Sequence, residues 1–184
     1  MIVKNLNFGG TAIEQVFKGI EKLTNAVSST LGASGKCVIL EDASGNPIIT
    51  KDGVTVADSI ILLNPVENMG ATLLKEAARK TVREAGDGTT TATILAHAIL
   101  KEAYVHLDKS NTRLIKEGIL SSVNKVIAYL NKVSVPVEDK IKEIATISTN
   151  NDSELGEIIA EAFIQVGKTG VVIMAVSYTH LTLP

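Results

Sequence analysis

The stretch Gly86-Asp87-Gly88-Thr89-Thr90-Thr91 gathers the parts of a phosphate site into six residues. Two glycines bracket an aspartate just ahead of a helical pattern. A helix N-terminus presents unpaired N–H groups and a partial positive charge, and both attract phosphate. Glycine lets the backbone come close to a ligand. The three threonine hydroxyls can donate to phosphate oxygens. Asp87 is a hard oxygen ligand, suited to a Mg²⁺ ion that bridges those phosphates. A plainer reading is equally available: Asp-Gly is a common turn and Thr is a fair N-cap, so the segment also reads as a helix break with ordinary capping.

Two other segments carry weaker signals. Thr30-Leu31-Gly32-Ala33-Ser34-Gly35-Lys36 is a glycine-containing turn between a helical pattern and a strand pattern, a place that can cradle phosphates. On its own, a glycine C-cap followed by a flexible link explains it better. Lys51-Asp52-Gly53 offers a cation and a second carboxylate, although a plain turn accounts for it alone. Gly167-Lys168-Thr169 imitates the end of a P-loop, but Ala162 stands where that loop needs glycine. The predicted order there, helix then strand, is also the reverse of a P-loop. His97, His106 and His180 have no metal-ligand spacing and no partner cysteine. His97, among alanines on a helical stretch, reads as packed or half-exposed. No nucleophile-elbow pattern occurs.

These segments need elements to position them. Thr11 is placed to cap a helix with Ile13, Val16, Phe17, Ile20, Leu23 and Val27 at helical spacing, and Gly32 lies past its end. Residues 37–40 favour a strand, 44–47 a turn and 48–50 a returning strand. Periodicity leaves residues 54–63 open between strand and helix. A long helix over 67–85 is stopped by Gly86-Asp87-Gly88. Another starts at Thr89 and is expected to carry Ile94, Leu95, Ala98 and Ile99 inward. A fourth is expected to bury Leu114, Ile115, Ile119, Val123, Val126, Ile127 and Leu130. Residues 133–137, with Pro136, read as a domain boundary. Helices over 140–146 and 154–166 follow, joined by a polar loop at 148–152, and residues 171–174 read as a buried strand. No internal repeat or low-complexity segment is present.

Composition narrows the function classes. Hydrophobic residues make up 45% of the 184, enough for a core, but aromatics are only 3% and Trp is absent. The core is therefore expected to be Ala, Val, Ile and Leu in closely packed helices. A net charge of −2 gives no nucleic-acid footprint and no block of like charge for a membrane surface. The single Cys37 excludes a disulfide within the chain and, beside Val38 and Ile39, reads as a buried, inert thiol. No signal-like leader and no run of about 18 apolar residues is found, which points to a soluble, reducing, cytoplasmic setting.

At residues 86–91 the sequence resembles the group I, GroEL-type chaperonin family, and the likeness runs collinearly from about Lys4 to Met174. Thr50-Lys51-Asp52-Gly53-Val54 resembles the family's second nucleotide segment. Glu67-Asn68-Met69-Gly70-Ala71 resembles a further signature. Thr146-Ile147-Ser148 with Asn150 resembles the start of the intermediate domain, and Val166-Gly167-Lys168 with Gly170-Val171 the approach to the apical domain. Several motifs in one order separate this reading from a helical interaction module without ATPase activity, which has no reason to combine the Thr30 and Lys51 segments with Asp87. A stand-alone small ATPase would need its own adenine pocket and base, and neither is apparent.

The resemblance implies a mainly α fold. Residues 1–133 would form the N-terminal part of a chaperonin equatorial domain, with long helices and a small β-hairpin. Residues 134–175 would form the first segment of the hinge-like intermediate domain. It implies Mg-ATP hydrolysis that drives client folding in a ring of identical subunits closed by a co-chaperonin cap. Carried over residue by residue, Thr30, Leu31, Gly32 and Ala33 would line the nucleotide, and Lys51 would contact the phosphate region. Asp87 would ligate Mg²⁺, while Gly88, Thr89, Thr90 and Thr91 would hold phosphate. K⁺ would bind near the backbone of Thr30 and Lys51, and Asp52 would assist hydrolysis near the γ-phosphate. The chain departs from the family at Ala33-Ser34, where Pro-Lys is usual, at Lys36, where Arg is usual, and at Gly10. The family chain continues through an apical domain and a returning equatorial segment, so the 184 residues alone are expected to be inactive. Residues 176–184 match nothing in the family, resemble translated adapter sequence, and are read as non-native.

Overall fold

The computed structural model describes residues 7–32, 34–42, 44–107, 110–137, 140–149, 151–167 and 170–173. Seven helices and one hairpin are formed among them: α1 (Gly9–Ser28), β1 (Val38–Glu41), β2 (Pro47–Thr50), α2 (Gly53–Ser59), α3 (Pro65–Ala85), α4 (Thr89–Val105), α5 (Thr112–Val133), α6 (Ile141–Ser148) and α7 (Ser153–Val166). The chain divides into two units, residues 1–122 and 123–184, with the boundary inside α5.

In the first unit, α1 and α3 cross at two glycines. A Cβ on Gly19 would overlap the backbone carbonyl of Glu67, and one on Gly70 would overlap that of Val16. The crossing is therefore set by backbone meeting backbone, which gives the Glu67–Ala71 motif a packing role. Lys22 ties it down from the surface with a 2.6 Å ion pair to Glu67. Ile20, Leu23 and Val27 of α1 then meet Val56 and Ala57 of α2 and Ala71 and Leu74 of α3 in one buried cluster. This is the expected aliphatic core.

The open segment at 54–63 resolves as the short helix α2. Asp52 caps it, and Val56 and Ala57 turn into the core. The hairpin pairs Val38 with Thr50 and Glu41 with Pro47 in antiparallel register. Its tight end is an Asx turn in which the Asp42 carboxylate accepts from the amides of Ser44 and Asn46. Asn64 caps α3 with its side-chain oxygen, and Pro65 sits at the first helical position, where no N–H is needed.

Several expectations are corrected. The first helix begins at Gly9, not at a Thr11 cap, and its N-cap position, Phe8, makes no capping hydrogen bond. In α4 the inward stripe is Thr89, Thr93 and Ala96. Leu95 and Ala98 lie about 200° around the helix from Thr93 and Ala96, and Leu95 is 56% exposed. Helix α5 buries none of its residues: Ile115 and Ile119 are half-buried beside α1 and α4, while Leu114 is 63% exposed. Cys37 is exposed at the start of the hairpin, so flanking apolar residues did not imply burial. Residues 171–173 form no strand: Val171 and Ile173 are 78% and 84% exposed, with no described strand beside them to pair with. Met174 and residues 176–184 lie outside the described residues.

In the second unit, α6 and α7 cross where Gly156 lies against Thr146, so closely that a Cβ would overlap it. Ala145 and Ala160 are buried in the unit, and Lys142 pairs with Glu157. The connecting turn is held by the Thr149 hydroxyl, by Asn151 at φ 66°, and by Asp152, which caps α7. Gly167, at φ 71°, ends α7. Lys168 and Thr169 of the P-loop imitation lie outside the described residues.

Candidate functional site

Helix α3 ends and α4 begins within three residues. Gly86, at φ 76°, closes α3 with its N–H on the Val82 carbonyl at 2.8 Å. Gly88, at φ 88°, occupies the N-cap position of α4. Both conformations are left-handed, where a side chain is strained, so the Gly-Asp-Gly spelling is a backbone requirement. Between them the exposed Asp87 folds one oxygen, Oδ1, onto the Gly88 amide.

No side chain caps α4. The amides of Thr89, Thr90 and Thr91 thus leave the helix end without an acceptor among the described residues, as a phosphate cradle requires. The plain capping reading fails here, because none of the three threonines serves as a cap. Their side chains differ: Thr89 is buried, Thr90 half-buried and Thr91 exposed. Below them the Thr93 hydroxyl donates to the Thr89 carbonyl inside the core at 2.9 Å. That bond fixes the first turn from within.

The second segment packs directly on this helix end. A Cβ built on Gly53 would overlap the Thr90 Oγ1. The turn carrying Lys51 and Asp52 therefore lies beside the start of α4, 37 positions further along the chain by subtraction (90 − 53). Asp52 acts as the N-cap of α2, and its Oδ2 accepts from the Thr55 amide at 2.8 Å and the Thr55 hydroxyl at 2.6 Å. Oδ1 accepts no hydrogen bond among the described residues. Partial burial pushes this carboxyl up, but the hydroxyl and amide of Thr55 and the Val54 amide outweigh it, holding it below the usual carboxylate value. Asp52 is thus an ionised group with one oxygen committed to the fold. Lys51 is exposed and forms no ion pair among the described residues.

The third segment is reached through helix direction. Phe17 stacks on Tyr104 at 5.2 Å and meets His97 at 5.7 Å. Nearer the core, Ala96 packs on the cluster that holds Leu23 and Val27. Higher numbers on α1 thus face lower numbers on α4: the helices run antiparallel, and the loop after α1 lies at the Thr89 end. In that loop the Thr30 hydroxyl donates to the Val27 carbonyl, and the Lys36 amide returns to the Ser29 carbonyl. Gly35 lies so close to the Thr30 carbonyl that a Cβ would overlap it. Gly32 has φ 74°. Thr30, Leu31 and Gly32 therefore offer backbone more than side chains. Ala33 lies outside the described residues.

Among the described residues no cluster of three or more His, Cys, Asp or Glu can enclose a metal. His97 is half-buried, with Nε2 unpartnered; burial holds it below its usual value, against the opposing pull of Glu21. It lies away from the helix end, beside Phe17.

Sequence reasoning missed Thr55, which holds Asp52, and Lys75, whose ammonium donates to the carbonyls of Ile60 and Asp58 at the far end of α2. Asp52 was readable as an N-cap candidate, but the bond from the Thr55 hydroxyl had no signal of its own. Lys75 had no local signal.

Residues 23–178 match the model of the TCP-1/cpn60 chaperonin family. Among solved structures, the chain is similar to the chaperonin gp146 from bacteriophage EL 2 (Pseudomonas aeruginosa), crystallised in the presence of ATP-BeFx. One crystal form gives 29% identity over 88% of this chain and 29% of that one, with a TM-score of 0.74. A second form gives 30% identity over 85% and 28%, with a TM-score of 0.73. A group III chaperonin in the open state is 26% identical over 84% of this chain and 31% of its own, with a TM-score of 0.69. The chain thus spans under a third of the length of these relatives, and its helices and hairpin have the fold of the chaperonin equatorial domain. With the family model covering most of its length, the chain belongs to the TCP-1/cpn60 chaperonin family.

Proposed function

We propose that this chain is the nucleotide-binding N-terminal part of a chaperonin subunit of the group I type, in which Mg-ATP hydrolysis drives the folding of client proteins. The observation that carries the reading is the contact of Gly53 with Thr90, which sets the Lys51-Asp52 turn beside the uncapped start of α4. A helical interaction module would gain nothing from that juxtaposition. The ATP-BeFx present with the phage chaperonin supports it by analogy.

In this reading Gly88, Thr89, Thr90 and Thr91 hold phosphate, through the acceptor-free amides of the three threonines and the close backbone approach that Gly88 allows. Asp87 offers its carboxylate to Mg²⁺, and the bound ion supplies charge neutralisation on the phosphates. Lys51 adds a cation. Asp52, ionised and steadied by Thr55, directs its uncommitted oxygen to the water or the γ-phosphate. The backbone of Thr30, Leu31, Gly32 and Ala33 lines the nucleotide, and the carbonyls of Thr30 and Lys51 hold K⁺. Residues 1–133 serve as equatorial domain and 134–175 as the first part of the intermediate domain. The whole subunit works in a cytoplasmic ring of identical copies, with a co-chaperonin cap and unfolded clients as partners. The group I assignment rests on the collinear motifs at residues 50–54, 67–71, 86–91, 146–150 and 166–171.

The test is steady-state Mg-ATP turnover by the full chain, the full-length subunit that contains these 184 residues. Asp87→Ala should lower it by about 4 kcal/mol of barrier, roughly a thousandfold, with the fold intact. Wild-type turnover in a well-folded Asp87→Ala protein would overturn the reading.

A further inference from the structure

Helix α2 is only two turns long, yet it carries Asp52 at one end and a buried cation at the other. Lys75 of α3 is 9% exposed, and its Nζ lies 2.5 Å from the Ile60 carbonyl and 3.3 Å from that of Asp58. These carbonyls are at the C-terminal end of α2, where helix oxygens lack internal partners and favour a cation. Arg79, one turn further along α3, adds an outer contact: its guanidinium donates to Asp58 at 2.7 Å and to Glu76 at 3.0 Å. Burial holds the Lys75 ammonium below its usual value, opposed by the nearby Asp58 charge, and Arg79 adds to the lowering. Such a group is retained at a cost unless its hydrogen bonds do something for the structure.

Lys75 and Asp87 stand on the two ends of one continuous feature, the second half of α3 and the turn that follows it. The same helix that delivers Asp87 to the start of α4 therefore also grips α2 from behind. We infer that Lys75 is a positioning residue for Asp52: it fixes α2 along its axis so that the Asp52 carboxylate meets the start of α4 in register. This inference rests on the proposed role of Asp52 in hydrolysis. The core contacts of Val56 and Ala57 resist lateral movement of α2 but, being small and smooth, leave sliding and tilting to the polar contacts at its ends. Without the ammonium, the part-buried carbonyls of Asp58 and Ile60 lose this donor, the C-terminal end of α2 relaxes, and Asp52 moves with it.

The experiment is a double-mutant cycle on ATP turnover in the full chain, with nucleotide-binding stoichiometry measured on every variant. Lys75→Met keeps the length of the side chain and removes the charge. It should lower kcat by about tenfold, since small misplacements of a reacting group carry such penalties, with one nucleotide still bound per subunit. Asp52→Ala should lower kcat further, and the double variant should be no slower than Asp52→Ala alone, because a residue acting through Asp52 has nothing left to position. Multiplying losses in the double variant would overturn the inference and leave the role of Asp52 standing. Full turnover by Asp52→Ala would overturn both. Should Lys75→Met fail to fold, Arg79→Leu carries the same cycle at about twofold, since it removes only the half-exposed outer contact.

Discussion

The two ends of the four-helix part of the first unit are built differently. At one end, the uncapped start of α4, the cap of α2 and the loop after α1 meet through glycines whose missing side chains are accounted for by left-handed turns at Gly32, Gly86 and Gly88, by the Thr30 carbonyl at Gly35 and by the Thr90 hydroxyl at Gly53. At the other, α1, α4 and the start of α5 surround an apolar groove of about 370 Å³ lined by Ile13, Phe17, Leu100, Tyr104, Ile115 and Ile119. The groove end offers apolar surface that α5, with no buried residue, leaves uncovered. Chemistry is thus specified locally while the hydrophobic closure is not, and substitutions at the two ends should respond in opposite ways.

The largest effect is expected where packing and chemistry coincide. Gly53→Ala places a methyl group against Thr90 Oγ1 and wedges the Asp52 turn from α4. ATP turnover by the full chain should fall about a hundredfold, the scale of a 1 Å misplacement. An unchanged rate would show that the turn and the helix end do not work together. Next in size is the α1–α3 crossing. Gly70→Val would drive its side chain into the Val16 carbonyl and should cost at least about 2 kcal/mol in chemical denaturation.

A smaller effect concerns acid stability. Asp52 is held below its ordinary value of 3.8, so its stabilising contribution is present above that value and lost as pH falls through the lowered one. Asp52→Asn, itself a good N-cap, should leave stability at pH 7 nearly unchanged and flatten the loss below about pH 4 in a urea midpoint series. A steeper acid loss in the variant would contradict the sign. The smallest effect belongs to the face of α5 turned away from the groove. Leu114→Gln on the open face of α5 should change the stability of this 184-residue chain by less than about 0.5 kcal/mol, while reducing its self-association in sedimentation, since large exposed apolar surface promotes association. A loss of several times that stability would mean α5 is covered after all.

The backbone of the candidate site was legible in outline because its signals are local. Gly86-Asp87-Gly88 announces two left-handed positions and a helix start within three letters, and the Lys51-Asp52-Gly53 turn carries its own capping residue. What the sequence alone could not tell was that Gly53 touches Thr90, since nothing in either segment encodes the other. Burial was read less well. Helical periodicity in α5 marked an apolar face correctly but could not say whether anything lay against it. In α4, apolar residues occur all round, so the pattern gave no direction, and the inward stripe fell on Thr89, Thr93 and Ala96. The strand expected over 171–174 had β-favouring residues but no partner among the described elements. Lys75 was invisible because its meaning depends on two carbonyls that α2 brings to it.

The most direct test of the central claim is the magnesium dependence of ATP binding to the full chain, measured by calorimetry for the wild type and Asp87→Ala. If the start of α4 holds phosphate and Asp87 holds the metal, Mg²⁺ should tighten binding to the wild type, and Asp87→Ala should bind ATP with an affinity that magnesium no longer improves. An identical magnesium effect in the two proteins would contradict the account.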